Sequence, residues 1–430
     1  TQLRLEPSMP SRLEPWSISR RRSGVLVLLC AVQSCERFAF AAMLPLFVPF
    51  AQERQGMSVP NALMLLAIFQ TLSYVSGLPG GWLADRKLGM YTSTGLGAAV
   101  LTLAYGALAV DHASLFWPAL ALMVVGHSLF RPGLHVLLAR ATGDGDRARE
   151  RGFLWHYLAA NVGFALGALF GEWAHAAFGW GALFCGAAMA SLLSAGLFLG
   201  TSLAQPTDPL EPTAIGAQPA REEGNGNMTA VWLLCSVAVV FWLTAQQPGT
   251  ALAVFAAMNT QQQTVLFSRT MQLGPGHFAA LHGLMVIAML PVFLRLHGRR
   301  QMHRTSTGNL LIWGYVATAA AFALMAAASL QGGDTGRVSS AWLIGCYLLL
   351  SIAEILLAPL GMSLVTRLAP RDKAARAVGL WFASSAVGNG LAALLALGWD
   401  RWPHHRYFAS LAILSLGAAA ALMRRRSPMG

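Results

Sequence analysis

Twelve apolar stretches dominate this sequence, and each must be accommodated by the fold. They run 24–50, 60–84, 92–111, 115–141, 152–174, 180–203, 229–258, 276–297, 308–329, 340–368, 374–398 and 406–423. Each reaches or approaches the roughly 20 residues that carry a helix across a bilayer. A backbone in hydrocarbon must satisfy its hydrogen bonds within its own segment, so twelve helices are predicted. Only 11% of the 430 residues are charged, against about a quarter in a soluble domain. That leaves too little polar surface for a water-soluble globule. The net charge of +12 therefore does not mark a nucleic-acid partner. It points to Lys and Arg gathered in cytoplasmic loops. The reading is an all-α protein of the lipid bilayer.

The loops supply an orientation. One set carries Arg20, Arg21 and Arg22, then Arg86 and Lys87, Arg147, Arg149 and Arg151, Arg299, Arg300 and Arg304, Arg371, Lys373 and Arg376, and finally Arg424, Arg425 and Arg426. The alternating set, such as 111–114 and 174–180, is short and nearly free of cations. The basic set belongs in the cytoplasm together with both termini. Residues 1–23 read as a polar cytoplasmic tail, with Met9 the expected start and no cleavable signal. Residues 204–228 are rich in Pro, Gly and Glu and read as a cytoplasmic linker. They divide one six-helix bundle, 24–203, from a second, 229–423, with 424–430 a cytoplasmic tail. A faint repeat supports the division. TSTG opens the third stretch at 92–95, and TSTG recurs at 305–308 where the ninth begins. Two parallel halves with a site between them near the midplane is a transporter plan. The five cysteines (Cys30, Cys35, Cys185, Cys235, Cys346) have no metal-ligand spacing and read as packing residues.

Ionisable groups inside such helices are costly and mark function. The first helix carries Gln33, Glu36 and Arg37, with Phe40 and Leu44 continuing that face. The fourth carries His127, Arg131 and His135 at successive turns, beside Pro132. The fifth places Tyr157 and Asn161 one turn apart. The eighth carries His282, and the tenth Glu354 followed by Pro359. Each has a plainer reading. Glu36, Arg37 and Arg131 can form a fixed ion pair that sets helix packing. The histidines can be hydrogen-bonded packing groups. Pro132, Pro248, Pro291 and Pro359 can simply kink helices. Tyr157 and Asn161 can bond a neighbouring helix. The transport reading has its own chemistry. A membrane carboxylate held by an arginine takes up a proton when that arginine leaves it. A fixed guanidinium can also hold a substrate carboxylate in a bidentate manner.

QSCERFAFAAM at 33–43 resembles the helix 1 ExxERFxYY signature of proton-dependent oligopeptide transporters, a branch of the major facilitator superfamily. GGWLADRKLG at 80–89 resembles the loop between its second and third helices, and WHYLAANVG at 155–163 stands where FYxxINxG is expected. Residues 349–390 are similar to its helix 10–11 segment. The resemblance implies the major facilitator fold, twelve helices in two halves, and proton-coupled symport of di- and tripeptides or peptide-like small molecules by alternating access. It implies a multi-pass protein of the cytoplasmic (inner) membrane, no cofactor, and a monomer. It assigns proton coupling to Glu36, Arg37 and Arg131. It assigns a substrate pocket to Tyr74, Arg131, Tyr157, Asn161, Glu354, Trp381 and Ser385, with Gln33, Phe40, Gln246 and His282 at further pocket positions, and gating to Asp85 and Arg86.

The departures from the pattern matter. Gln33 replaces the first glutamate of helix 1. Phe40 and Ala41 replace its two tyrosines, and Leu44 replaces an arginine that helps hold a peptide carboxylate. Gln246 stands where an acid often precedes Gln247. Arg131 replaces a lysine, and an arginine does not release its proton. His282 replaces an asparagine, and with His127 it offers a proton site near neutral pH. Transport or export of a modified peptide, a peptidic metal chelator or a drug is the alternative. A membrane enzyme or a transport-dead sensor is the remaining class. The chain has no HExxH, no GxSxG and no soluble output domain to support it.

Overall fold

A computed structural model describes residues 20–142, 146–203, 227–261, 263–266, 269–272, 275–297, 305–396, 398–399 and 401–424. The expected tail 1–19, most of the linker (204–226), Arg299, Arg300, Arg304, Arg425 and Arg426 lie outside the described residues. Twelve helical segments follow in order. In the first half α1 is Arg20–Met43, continued through a 3-10 turn at Leu44–Leu46 into Phe47–Gln55. Helix α2 is Val59–Val75 continued by Gly77–Leu83. Then come α3 Met90–Ala109, α4 Phe116–Ala141, α5 Asp146–Phe178 and α6 Trp180–Leu203. In the second half α7 is Met228–Ala245, broken at Gln247–Gly249 and resumed as Ala251–Met258. Helices α8 Pro275–His297, α9 Thr307–Gly332, α10 Ser340–Leu368, α11 Ala374–Ala396 and α12 His404–Arg424 complete it. Among the described residues, ten helices are long and apolar enough to span a membrane unaided. The interrupted α2 and the shorter apolar run Leu281–Leu296 of α8 complete the set.

Three details differ from the sequence reading. Helix α5 runs past position 174 to Phe178, because nothing breaks it before Gly179, whose φ of +82° lets the chain turn. The expected loop 174–180 therefore shrinks to one residue. Helix α1 continues to Gln55 and ends on the left-handed Gly56. Between α7 and α8 a short antiparallel hairpin pairs β1, Gln263–Leu266, with β2, Arg269–Gln272.

The two halves break alike. Pro45 sits in the α1 turn and Pro248 in the α7 turn, each removing a backbone donor from the middle of a spanning helix. Pro132, Pro291 and Pro359 lie inside α4, α8 and α10. One turn before Pro132, the Ser93 hydroxyl of α3 donates to the Leu129 carbonyl at 3.0 Å and ties α3 to α4.

Helix α1 packs on α5 and α6, and α3 on α4 and α6. In the second half α9 packs on α10 and α12, and α7 on α11. The α1–α5 contact is the closest. Gly163, Gly167 and Gly171 recur every four residues on α5. A Cβ on any of them would strike the carbonyl of Ser34, Phe38 or Ala42 on α1. Small residues at this spacing let two membrane helices touch backbone to backbone. The contact seats the stretch of α1 that carries Glu36 and Arg37 directly on the α5 backbone.

Between the halves, α2 meets α11 while α5 meets α8 and α10. Gly77 of α2 lies against Gly379 of α11, and Gly81 against the Ala375 carbonyl.

Gly167→Val should overpack the α1–α5 crossing and cost about 1–3 kcal/mol, read as a lowered unfolding temperature in detergent. Gly106→Val, where an added Cβ meets nothing within 4 Å, should leave that temperature unchanged.

Candidate functional site

Two charged clusters face the junction of the halves. The first belongs to the N-terminal half. Glu36 is 2% exposed, and both of its carboxylate oxygens are engaged. Arg37 donates through Nε to Oε2 at 2.6 Å and through a terminal nitrogen to Oε1 at 3.0 Å. From α4, His127 Nε2 lies 3.1 Å from Oε1, and a terminal nitrogen of Arg131 lies 3.5 Å from the same oxygen. His127 and Arg131 share a face because they are four residues apart on one helix. The Arg37 guanidinium stands 5.3 Å from the centre of the Phe40 ring, and that of Arg131 stands 5.5 Å from it. Arg131 also lies 5.2 Å from the centre of the Tyr74 ring. Aromatic faces hold cations at about 0.5–2 kcal/mol each, so Phe40 and Tyr74 help retain a guanidinium that the single carboxylate does not saturate.

The balance of this cluster is one carboxylate against two guanidiniums. Arg131 is 3% exposed, and its side-chain nitrogens have no hydrogen-bond acceptor among the described residues. On α1, about one turn before Glu36, the Gln33 Oε1 is likewise buried without a donor among the described residues. Arg131 thus keeps a surplus positive charge and unused donors for an anion.

The second cluster is acidic and belongs to α10. The Tyr157 hydroxyl of α5 donates to Glu354 Oε1 across the half–half junction. His282 Nε2 of α8 lies 3.4 Å from Oε2. Both His282 and Glu354 border a small recess walled by Phe241, Ala245, Pro248 and Leu350. The Tyr74 ring beside Arg131 also stacks on Phe382 of α11, with ring centres 6.3 Å apart, and so links the first cluster to the other half.

The other expected pocket residues have partners of their own. Asn161 donates to the Tyr157 carbonyl one turn back at 2.9 Å, so it supports α5 itself. Gln246 donates to Asn389 Oδ1 at 3.0 Å and ties α7 to α11. Trp381 is buried against Gly361 and Trp242, inside the α7–α10–α11 packing. Ser385 is buried one turn further on.

The expected gating pair divides. Asp85, at the end of α2, accepts from the backbone N–H of Ala375 at 3.0 Å and of Arg376 at 2.8 Å. One half thereby caps the positive N-terminus of α11 in the other. Burial pushes the Asp85 carboxyl above its ordinary range, against the pull of the two N–H donors. The capping bonds therefore carry a desolvation cost. Arg86 is exposed beside it.

Several partners were not singled out from the sequence. Glu150, near the start of α5, accepts from the Thr307 hydroxyl at the start of α9, and Arg147 donates to the Thr305 carbonyl at 2.8 Å. A lone acid inside an arginine run was the available signal. Phe382 of α11 meets Tyr74 and His135 of the other half, and His135 packs on His156. These cross-half links all lie on the basic-loop side or at the midplane. On the opposite face, hydrogen bonds among the described residues stay within one half. Trp180 donates to Glu53 in the first half, and Asn259 donates to the Asp334 carbonyl in the second. The halves are clamped at the basic face.

The sequence matches the Major Facilitator Superfamily over residues 29–393. The chain belongs to that superfamily. Its membership makes it a multi-pass membrane transporter and not an enzyme. Within the superfamily it is similar to the proton-dependent oligopeptide branch. A di-/tripeptide transporter of Lactococcus lactis subsp. cremoris is 22% identical, the match covering 94% of this chain and 95% of the relative. The peptide transporter YePEPT of Yersinia enterocolitica is 26% identical over 84% of each. Among solved structures, a POT family transporter in complex with a thioalcohol-conjugated peptide superposes with a TM-score of 0.68 at 19% identity, covering 94% of this chain and 96% of that one. A peptide transporter POT in complex with sulfate gives a TM-score of 0.65 at 23% identity, covering 94% and 95%. These likenesses carry the fold, with α1–α6 and α7–α12 as its two halves.

Asp85→Asn removes a charged cap worth about 1 kcal/mol, so the clamped form should lose roughly fivefold in population. Spin labels at Lys87→Cys and Asp372→Cys read this as a longer distance population in double electron–electron resonance.

Proposed function

We propose that this transporter carries di- and tripeptides, or peptide-like small molecules, in symport with protons. It works by alternating access in the cytoplasmic (inner) membrane, as a monomer with both termini in the cytoplasm. The proton gradient drives it without a bound cofactor. The observation that carries this reading is the pairing of the two clusters. A buried, under-paired guanidinium on one half faces an acidic recess on the other. A zwitterionic substrate presents the matching charges: a carboxylate for Arg131 and an ammonium for Glu354. The names of its peptide-transporting relatives agree with that match.

Proton coupling follows from the electrostatics of the first cluster. Arg131 holds its charge throughout. When a substrate carboxylate engages it, Glu36 loses one of its cations and takes up a proton more readily. Arg37 remains to fix the carboxyl geometrically, and His127 offers a place for the proton to pass. His282 is the second titratable site, beside the substrate amine. With substrate and proton bound, the contacts of Asp85 and Glu150 at the basic face release. The halves, joined through 204–228, then open there. Arg86 and the neighbouring basic loops border that gate. The replacement of a cation by Leu44 leaves Arg131 to hold the substrate anion alone. That favours peptide-like molecules whose anion is compact, and a modified peptide moved in either direction is the second reading.

Reconstituted protein should accumulate members of a di- and tripeptide library when an inward proton gradient is applied, read by mass spectrometry. Arg131→Ala and Glu354→Gln should each cut that uptake at least tenfold, about 1.4 kcal/mol or more of binding, with folded protein unchanged. Full uptake by both variants, or no gradient-stimulated peptide signal from folded protein, overturns the proposal.

A further inference from the structure

Glu354 lines a mostly apolar recess beside one ionisable nitrogen, that of His282, among the described residues. Among the described residues, no Lys or Arg makes an ion pair with it, and His282 at 3.4 Å is its cationic neighbour. The titratable groups that face the pair are two tyrosines. Tyr157 of α5 bonds Glu354, and the Tyr347 ring of α10 lies 5.6 Å from the His282 ring. Helices α7 and α9 bring Phe241, Thr244 and Thr318 to the recess and no titratable group. Glu36, Arg37 and Arg131 form ion pairs with one another in the other half. The His282 backbone is held in place, since Ser351 of α10 donates to its carbonyl.

A carboxylate at such a place needs one compensating charge. Two groups can supply it: a proton on His282, or the ammonium of a bound ligand. Together they would leave a net positive charge in a small, largely apolar recess, where like charges repel strongly. We infer that His282 and a substrate ammonium compete for Glu354, so that binding an amine in the C-terminal half expels the His282 proton to the aqueous side of the recess. The proton balance is simple. Imidazolium becomes imidazole, the proton goes to water, and the ammonium keeps its own protons. Proton and amine thus oppose each other at Glu354, even where proton and carboxylate assist each other at Glu36.

The inference takes its peptide ligand from the transport proposal, and the experiment separates the two. Dissociation constants for dialanine and for its desamino analogue, propionyl-alanine, would be measured on the detergent-purified full chain between about pH 8 and about pH 5.5. Relative to propionyl-alanine, dialanine should bind about five- to tenfold more weakly at the acid end than at the alkaline end. That relative loss should vanish in His282→Asn. The same relative loss in His282→Asn, or none in the natural protein, overturns the inference. A second measurement needs no peptide. With histidines labelled by carbon-13, the resonance missing from His282→Asn identifies His282, and its titration is followed with and without propylammonium. The amine should lower the titration midpoint, as should Glu354→Gln. A midpoint that neither change moves overturns the inference. Dialanine that binds at no pH counts against the peptide proposal, and the propylammonium titration then decides the competition by itself.

Discussion

A carboxylate buried in a membrane protein persists as an ion only if cations stand beside it. Around Glu36 that requirement organises the N-terminal half. Arg37 comes from the same helix, while His127 and Arg131 come from α4. Removing one partner of a buried pair of this kind costs about 3–5 kcal/mol. The three glycines of α5 bring that helix backbone to backbone with α1, and so hold the carboxylate within reach of the junction. The same charges make the cluster responsive. One carboxylate between two guanidiniums leaves Arg131 under-paired, and a second anion changes which partner Glu36 retains.

The two clusters differ in kind. The first is rigid, with Phe40 placed between two cations and both Glu36 oxygens occupied. The second is joined across the halves by a single tyrosine, since Tyr157 of the first half bonds Glu354 of the second. That bond lies at the junction itself, so a ligand that takes Glu354 also alters a contact between the halves. Farther toward the basic face, Asp85 and Glu150 reach across to the starts of α11 and α9. Binding and gating are therefore linked through one junction. A ligand acts on the gate only as far as it binds the two arrangements differently.

Much of the fold was legible because bilayers impose a simple rule. A spanning helix announces itself by length and apolarity, and all twelve segments were readable as such. Interior charges were legible for a related reason: so few are tolerated that Glu36, Arg131 and Glu354 stood out. What could not be read was the choice of neighbour. Asn161 occupies a pocket-like position yet bonds its own helix. Trp381 and Ser385 occupy a helix face that packs inward on α7 and α10. The Tyr157–Glu354 bond spans 197 positions in the chain, and Glu150 finds Thr307 across 157. Spacing along one helix gives the face a residue occupies. It does not say which helix of the other half meets that face.

The central claim is that the Glu36 cluster ties proton movement to peptide movement. A pH-sensitive dye trapped inside proteoliposomes tests it most directly. Adding a transported peptide outside should acidify the lumen in the natural protein. In Glu36→Gln the acidification should disappear while peptide exchange across the membrane continues. Acidification that survives undiminished in Glu36→Gln would contradict the claim and place the coupled proton elsewhere in the structure.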